Sequence, residues 1–499
     1  MLHFAALLLA LAPIDDPRPA ASPIHYRPAR GNFADPIPFY GRGEYHVFYL
    51  RGDQPKVSWE HIASKDLVTW RELPTALLSD GPADGPDGLH MFTGSVVEAD
   101  GVFHLYYTGW NPGNPRGREF VMHATSPDLL TWTKRPEHAF RADGTIYAAP
   151  QDGDFRDPFV FRVEAEKRWW MLICTRAAAD NRPVTGVYTS TDLVRWEPQS
   201  PLCDGYGNGT PECPDLFRDG ELWYLVVSPS DNVTRYRTAR DLRGPWSPGP
   251  GTALDTPIFY AAKSQSDGRR RVLTGWLRDL EGGRDGAGFR WGGTQSTPRE
   301  LFAGPGGSLL SRPVPEARAV YNKTVLDLST RPKATTLDPA GKPATDPAPW
   351  RYEGDALVAE SVGLTRARLD VPADYHLSMK VRATGPATTF ALALRQQPAR
   401  DSHYRLELRP GRGEATLAGF GTDYPRPVPL APGREIPIEA FVQGPLIECF
   451  VDGGHAFSGR AYQFRDGALD LLVAGGKVEI TELVVRTAGP RAASTPSGH

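Results

Sequence analysis

The sequence predicts an all-β protein, an N-terminal five-bladed β-propeller followed by a C-terminal β-sandwich, and three observations carry that prediction. A unit of the form Ser/Thr-x-Asp-Leu ending in Trp recurs at Ser64–Trp70, Ser126–Trp132 and Ser190–Trp196, with a weaker copy from Ala239 to Trp246. Its aspartates, Asp66, Asp128, Asp192 and Asp241, stand 62, 64 and 49 residues apart, room for one four-stranded antiparallel sheet each. An alternating, aromatic-rich strand precedes each unit: Tyr45-His46-Val47-Phe48-Tyr49, Phe103-His104-Leu105-Tyr106-Tyr107, Trp169-Trp170-Met171-Leu172 and Leu222-Trp223-Tyr224-Leu225. Finally, 51 Gly and 48 Pro with 10% aromatics suit short strands and tight turns, and disfavour long helices and disorder.

In chain order, residues 1–22 read as a signal peptide and leader. The apolar run Phe4 to Ala12 is too short to span a bilayer, which takes about 20 residues, and Ala10-Leu11-Ala12 offers a small-residue cleavage site. This predicts a secreted or periplasmic protein with no membrane insertion; an apolar N-terminal strand is the alternative. Residues 23–312 hold the propeller. Its fifth copy is read from Pro257-Ile258-Phe259-Tyr260 and Arg271 to Trp276, closed by Gly292 to Leu301. Radial stacking of five sheets leaves few exposed edges, whereas a large β-sandwich, the competing architecture, would not require the repeat. In each repeated unit the Asp or hydroxyl side chain can bond nearby backbone N–H groups, and the Leu and Trp supply apolar surface, which makes these residues structural. Residues 313–350 are rich in Pro, Thr, Ala and Lys and read as a linker and the start of the second domain. Across 351–487, runs such as His376-Leu377-Ser378-Met379-Lys380-Val381 and Tyr404-Arg405-Leu406-Glu407-Leu408 have one polar and one apolar face, the mark of an antiparallel sandwich. Its expected role is to support the propeller, with carbohydrate binding as a second option. Residues 488–499 read as a disordered tail.

Charge and cysteine content narrow the partners. The 499 residues carry a net charge of −3 and no polybasic run, which excludes nucleic acid and anionic membrane surfaces as expected partners. Four cysteines are far too few for a disulfide scaffold, so the fold must rest on buried apolar area; a Cys203–Cys213 bridge is conceivable but unforced.

The candidate chemistry lies at the strand starts. Measured back eight residues from the turn glycines Gly43, Gly101 and Gly220, the register reaches Asp35, Thr93 and Glu212, and Asp157 opens the third copy at a corresponding point. If each copy's first strand is innermost, Asp35, Asp157 and Glu212 point into one funnel. Carboxylates that close repel, so at least one should keep its proton while another stays ionised. Glycoside cleavage needs that division: an acid protonates the leaving oxygen, a carboxylate attacks the anomeric carbon, and a third steadies the oxocarbenium-like transition state. Asp35-Pro36 and Asp157-Pro158 could each instead be an ordinary turn dipeptide. His61 and His123 recur at similar points and read as structural, not as a metal site.

These segments resemble glycoside hydrolase family 32, the invertases, levanases, inulinases and fructan exohydrolases. Ala34-Asp35-Pro36 is similar to that family's Asn-Asp-Pro-Asn-Gly, Phe92-Thr93-Gly94-Ser95 to its Phe-Ser-Gly-Ser, Arg156-Asp157-Pro158 to its Arg-Asp-Pro, and Glu212-Cys213 to its Glu-Cys. Pro298-Arg299-Glu300-Leu301 and Ile447-Glu448-Cys449 extend the likeness over nearly the whole chain. The resemblance implies Asp35 as nucleophile, Glu212 as acid/base and Asp157 as transition-state stabiliser, net retention, an oligo- or polysaccharide substrate, and no metal or organic cofactor. It also implies Phe92, Thr93 and Ser95 as substrate contacts. Trp59 is read as a sugar-stacking platform or a blade-packing residue, Arg156 as orienting a sugar hydroxyl or Asp157 or forming a local ion pair, and Tyr260 as lining the funnel or the core.

The sequence departs from the family pattern at Ala34, Ile37-Pro38 and Leu50, where amides are expected, and at Glu60 within Trp59-Glu60-His61. Losing groups that bond sugar hydroxyls implies altered specificity. The expected activity is therefore hydrolysis of a β-fructofuranoside or a related furanoside. The alternatives are a fructosyltransferase, an arabinofuranosidase-like enzyme, and a catalytically silent carbohydrate-binding propeller.

Overall fold

Aromatic, alternating strands joined by tight turns form five four-stranded antiparallel blades around one axis in the computed structural model. It describes residues 22–489 apart from 53–55, 150–153, 207–208, 339–341, 343–348 and 398–402. The signal-peptide expectation and nearly all of the tail therefore lie outside the described residues. Blade I runs Ala34–Gly41, Glu44–Arg51, Ser58–Ser64 and Arg71–Leu77; blade II runs His90–Ala99, Val102–Trp110, Glu119–Ser126 and Thr133–Lys134. Blade III runs Phe155–Val163, Arg168–Arg176, Pro183–Ser190 and Glu197–Cys203; blade IV runs Pro211–Asp219, Leu222–Pro229, Arg235–Ala239 and Ser247–Ala253. Blade V begins Phe259–Ser266 and Arg271–Leu280, and is completed by Arg299–Ala303 and Leu309–Pro313. Its closing segment thus lies beyond the expected 292–301, because a separate strand, Phe289–Gln295, pairs with the distal half of Arg271–Leu280. The first strand of every blade touches the first strands of both neighbours, so the ring is closed and those strands line the axis.

The repeated Asp-Leu unit turns the third strand of a blade into the fourth. Asp66 accepts backbone N–H bonds from Val68 and Thr69, at 3.0 and 2.6 Å, and Asp128 and Asp192 do the same in blades II and III. The following Leu67, Leu129 and Leu193 adopt left-handed φ of 64°, 68° and 61° while fully or nearly fully buried. A β-carbon resists that conformation, so burial and the carboxylate's hydrogen bonds offset the strain. The terminal Trp reaches the preceding blade: Trp132 meets Phe48, and Trp196 meets Tyr106, edge-on at 5.9 and 5.6 Å.

The residues following Pro313 join the sandwich directly. A helical turn, Pro315–Ala319, is followed by Lys323–Asp327, which pairs with the long strand Gly476–Thr487, and by Thr335–Leu337, which pairs with Thr365–Leu369. The stretch expected as linker thus supplies edge strands to both sheets, eight- and seven-stranded, that enclose the apolar core around Leu377, Phe390, Leu406 and Ile480. Pro and Thr are compatible with short edge strands, which is why composition alone suggested a connector.

Propeller and sandwich are tied by a fully buried charge network. Arg299 of blade V donates to Asp255 and Glu448, both at 2.6 Å, and to Ser458 Oγ at 2.9 Å. Glu448 also accepts from Thr297 Oγ1 at 2.5 Å and meets His25 Nε2 at 2.6 Å. The N-terminal segment is thereby pinned to the sandwich, and it clasps blade V where Phe33 and Gly293 exchange backbone hydrogen bonds at 3.2 and 2.9 Å.

Candidate active site

Each inner strand carries a β-bulge near its start, with two residues unpaired in blades I, III, IV and V and one in blade II, and the bulge sets which side chains face the axis. The bulged pairs are Asp35-Pro36, Thr93, Asp157-Pro158, Cys213-Pro214 and Ala261-Ala262 in blades I to V, with Thr93 bulging alone. Asp35, Asp157, Cys213 and Ala261 hold left-handed φ of 43°, 61°, 52° and 48°. Such strain costs on the order of 1–3 kcal/mol per residue and persists where the surroundings over-determine it. In blade II, a side chain at Gly94 would overlap the Tyr106 carbonyl, its β-carbon lying 1.8 Å away, so the blade needs glycine there.

This register corrects the expected equivalence of the acids. Asp35, Thr93, Asp157 and Cys213 are the matching positions; Glu212 lies one residue earlier, level with Ala34, Phe92, Arg156 and Tyr260. The glycine ruler slipped because blade IV's hairpin carries its glycine, Gly220, at the first loop position, whereas Gly43 and Gly101 occupy the second.

The three acids nevertheless share one hydrogen-bonded and electrostatic surrounding. Thr93 Oγ1 donates to Asp35 Oδ2 at 2.6 Å. The Cys213 N–H donates to Asp157 Oδ2 at 2.9 Å, which ties blade III to the residue after Glu212. Arg156 Nη2 donates to Glu212 Oε1 at 2.8 Å and to Thr210 Oγ1 at 3.1 Å, while its Nη1 is held by Asp154 and Glu119. Arg156 therefore orients Glu212 through direct hydrogen bonds, and none joins it to Asp157. Tyr260 places its hydroxyl 2.5 Å from Glu212 Oε2 and 2.8 Å from the Ser228 carbonyl.

Burial dominates the acidities. Desolvation pushes the Asp35 carboxyl up to about 6; the Thr93 hydrogen bond opposes this, the charge of Glu212 adds to it, and the cations Arg278 and Lys263 hold it back. Asp157, only 3% exposed, is pushed up to about 7 by the same burial and by Glu212, against the pull of Arg156 and the Cys213 N–H.

Two expected substrate contacts are placed elsewhere. Trp59 is fully buried, donates its Nε1 hydrogen to the Phe92 carbonyl at 3.1 Å and packs edge-on against Tyr107, so it has no free face for a sugar. Ser95 is also buried, and its hydroxyl stitches blade II to blade III by donating to Pro158 O and accepting from Val160 N, both at 2.9 Å. Phe92 remains half-buried beside His90 and Trp110, an aromatic group with ring centroids 5.4–5.9 Å apart. His61 and His123 are buried among ring partners, bonded to His46 and to His104 and His138 respectively. Glu60 is held by Ser58, Thr75 and Arg51. All four cysteines are buried free thiols, so Cys203 and Cys213 form no bridge. Ala34, Ile37 and Leu50 are buried and contribute no polar side-chain group.

Reading motifs missed two cations of blade V. Lys263 reaches across the axis and donates to the Gly94 carbonyl of blade II at 2.8 Å. Arg278 stacks on Tyr260. A Lys directly after the apolar run Phe259-Tyr260-Ala261-Ala262 at the start of an inner strand was the available signal for the first; nothing in the repeat marked the second.

A closed five-bladed propeller with carboxylates from three blades at its axis, backed by a β-sandwich, defines a two-domain all-β protein with an acidic axial site. The chain belongs to glycosyl hydrolases family 32: the model of that family's N-terminal domain matches residues 25–313. It is 28% identical to a levanase of Bacillus sp. (strain L7) over 92% of this chain and 51% of that one, so it spans about half the length of that relative. It is 31% identical to raffinose invertase of Escherichia coli over 60% of this chain and 66% of that one. Among solved structures, fructan 1-exohydrolase IIa from Cichorium intybus superposes with a TM-score of 0.72 at 20% identity, covering 95% of this chain and 98% of that one. An exo-inulinase from Aspergillus awamori gives 0.71 at 20% identity over 95% and 99%. These likenesses agree with the propeller-plus-sandwich fold.

Proposed function

We propose that this protein is a retaining glycoside hydrolase acting on β-fructofuranosides or closely related furanosides. The observation that carries the reading is the gathering of Asp35, Asp157 and Glu212 at one end of the axis, with two of them in left-handed bulges. In the first step the Asp35 carboxylate attacks the anomeric carbon while Glu212 gives its proton to the departing glycosidic oxygen. The bond to the leaving group breaks as the ester to Asp35 forms. In the second, Glu212 takes a proton from water, the hydroxide attacks the same carbon, and Asp35 leaves as a carboxylate. Asp157 bonds ring hydroxyls whose polarity grows in the transition state.

Tyr260 suits a group that must alternate between acid and base. When Glu212 is ionised the phenol donates to it; when Glu212 carries the proton, the carboxyl donates to the phenol oxygen and the phenol turns its hydrogen to the Ser228 carbonyl. A hydroxyl rotation thus serves both states. Loss of amides at Ala34, Ile37 and Leu50 leaves hydroxyl recognition to fewer groups, which supports a substrate preference unlike sucrose. The run Phe4 to Ala12 supports export to the periplasm or medium.

The test is a screen of purified protein against sucrose, levan, inulin, fructose dianhydrides and arabinofuranosides, with Glu212→Gln alongside. Turnover by the wild type and a loss of at least about 100-fold in the variant are expected. Glycan binding without product from any furanoside would leave a silent binding propeller instead.

A further inference from the structure

Arg278 lies in the second strand of blade V and is 5% exposed. Its guanidinium carbon sits 3.5 Å from the centroid of the Tyr260 ring and 4.8 Å from that of Phe289. Nη1 donates to Asn232 Oδ1 at 2.6 Å; Asn232 belongs to the loop following the second strand of blade IV. Nε is buried without a hydrogen-bond partner. Among the described residues no carboxylate is ion-paired with this guanidinium. A buried cation of this kind is costly unless nearby anions compensate it. The charged groups facing Asp35 are Glu212 from blade IV and Arg278 and Lys263 from blade V, with the Thr93 hydroxyl from blade II; Arg156 of blade III lies against Glu212.

We propose that Arg278 is a positioning residue of the site: clamped by Asn232 and stacked on Tyr260, it holds the ring so that the phenol stays on Glu212, and it brings a guanidinium to the side of the site that faces Asp35. This rests on the reading of Asp35 as nucleophile and Glu212 as acid/base. Stacking a guanidinium on the phenol also draws electron density from the ring and makes its O–H a stronger donor. Lys263 cannot replace the effect on Tyr260, because its ammonium points across the axis to Gly94.

The experiment compares wild type with Arg278→Met, which keeps an apolar stem against Phe289 but no charge, and Arg278→Lys, which keeps charge but not the planar stack. In Arg278→Met the acid limb of the kcat/KM profile should move up by about one pH unit, an extra loss of about ten-fold at pH 5 relative to pH 8. Arg278→Lys should restore the limb to within about 0.3 unit while kcat stays reduced. A loss equal at every pH, as a merely structural role would give, overturns the proposal. Independently of turnover, the Asp35 carboxyl can be titrated by NMR on protein carrying 13C-labelled aspartate, with Asp35→Asn for assignment. Its midpoint should rise in Arg278→Met, and an unmoved midpoint refutes the proposal. If the wild type cleaves no furanoside, the functional reading fails, whereas the NMR result still decides the electrostatic one.

Discussion

Arg299→Met offers a sharp test of how the two halves of the protein hold together. Arg299 is wholly buried between Phe259 and Phe450, and its guanidinium neutralises Asp255 and Glu448 at 2.6 Å each. Methionine fills much of the same volume, so the cost comes from two buried carboxylates deprived of their shared cation. Each keeps other donors, Ser458 for Asp255 and Thr297 for Glu448, which limits the damage. Breaking a buried ion pair in this way costs roughly 3–5 kcal/mol, which lowers the melting temperature of a protein this size by roughly 3–5 °C. The pH dependence has a definite sign. Arg299, His25 and Thr297 hold the Glu448 carboxyl far below the usual carboxylate range, against the effect of burial. Its stabilising contribution is therefore complete above about pH 4.5 and fades as acid protonates it. The variant's deficit should be largest near pH 7 and shrink in acid, where the carboxylates left without Arg299 take up protons. Thermal unfolding followed by circular dichroism between pH 3.5 and 8 measures this. A deficit under about 1 kcal/mol, or one that does not change with pH, would refute the assignment of the network as the interdomain lock.

The site supports four further tests. With Asp35 pushed up to about 6 and required as an anion, kcat/KM should fall with decreasing pH through about 6, while a flat profile down to pH 4.5 would exclude Asp35 as nucleophile. Asp157→Asn should abolish most turnover yet raise stability at pH 8 by on the order of 1–3 kcal/mol, because the wild type must bury a charge there. That gain should vanish below about pH 4, where the carboxyl is protonated in both folded and unfolded chains. Phe92→Ala should raise KM with little loss of stability, whereas Trp59→Ala should cost roughly 3–5 kcal/mol of stability by opening a cavity; the reverse pattern would restore Trp59 as a sugar contact. Ser95→Ala should cost about 1–2 kcal/mol from its two interblade hydrogen bonds and leave KM unchanged in steady-state assays.

The blades were legible because their signals are local and repeated. An Asp that binds the next backbone amides and a Trp that returns to the adjacent sheet leave the same trace each time. The carboxylates were legible as strand-start residues beside prolines. Their register was not, since a hairpin can shift its glycine by one position without changing its length. Trp59 could be read either as a sugar platform or as blade packing, and Ser95 was expected at the substrate, because a sequence shows residue type but not which side of a strand is sealed by the next blade. Arg278 gave no signal at all: its meaning depends on Tyr260 and Asn232, 18 and 46 positions away, and only the closed ring brings them into contact. Within 313–350, read as a linker and the start of the second domain, the individual strands were not legible because edge strands need only half the pairing of central ones, so their composition stays close to that of loops.

Four of the five entry bulges act as interchangeable sockets on a common wheel. Two hold aspartate, and two hold Cys213 and Ala261 on the same left-handed backbone, while blade II bulges at Thr93 alone. Because the kink is already built into the main chain, a new donor or acid introduced at Ala261 would arrive pre-aimed at the axis without fresh backbone distortion. The wheel thus separates where chemistry can happen from which chemistry happens, and it leaves vacant mounts from which reactivity toward other sugars could be assembled.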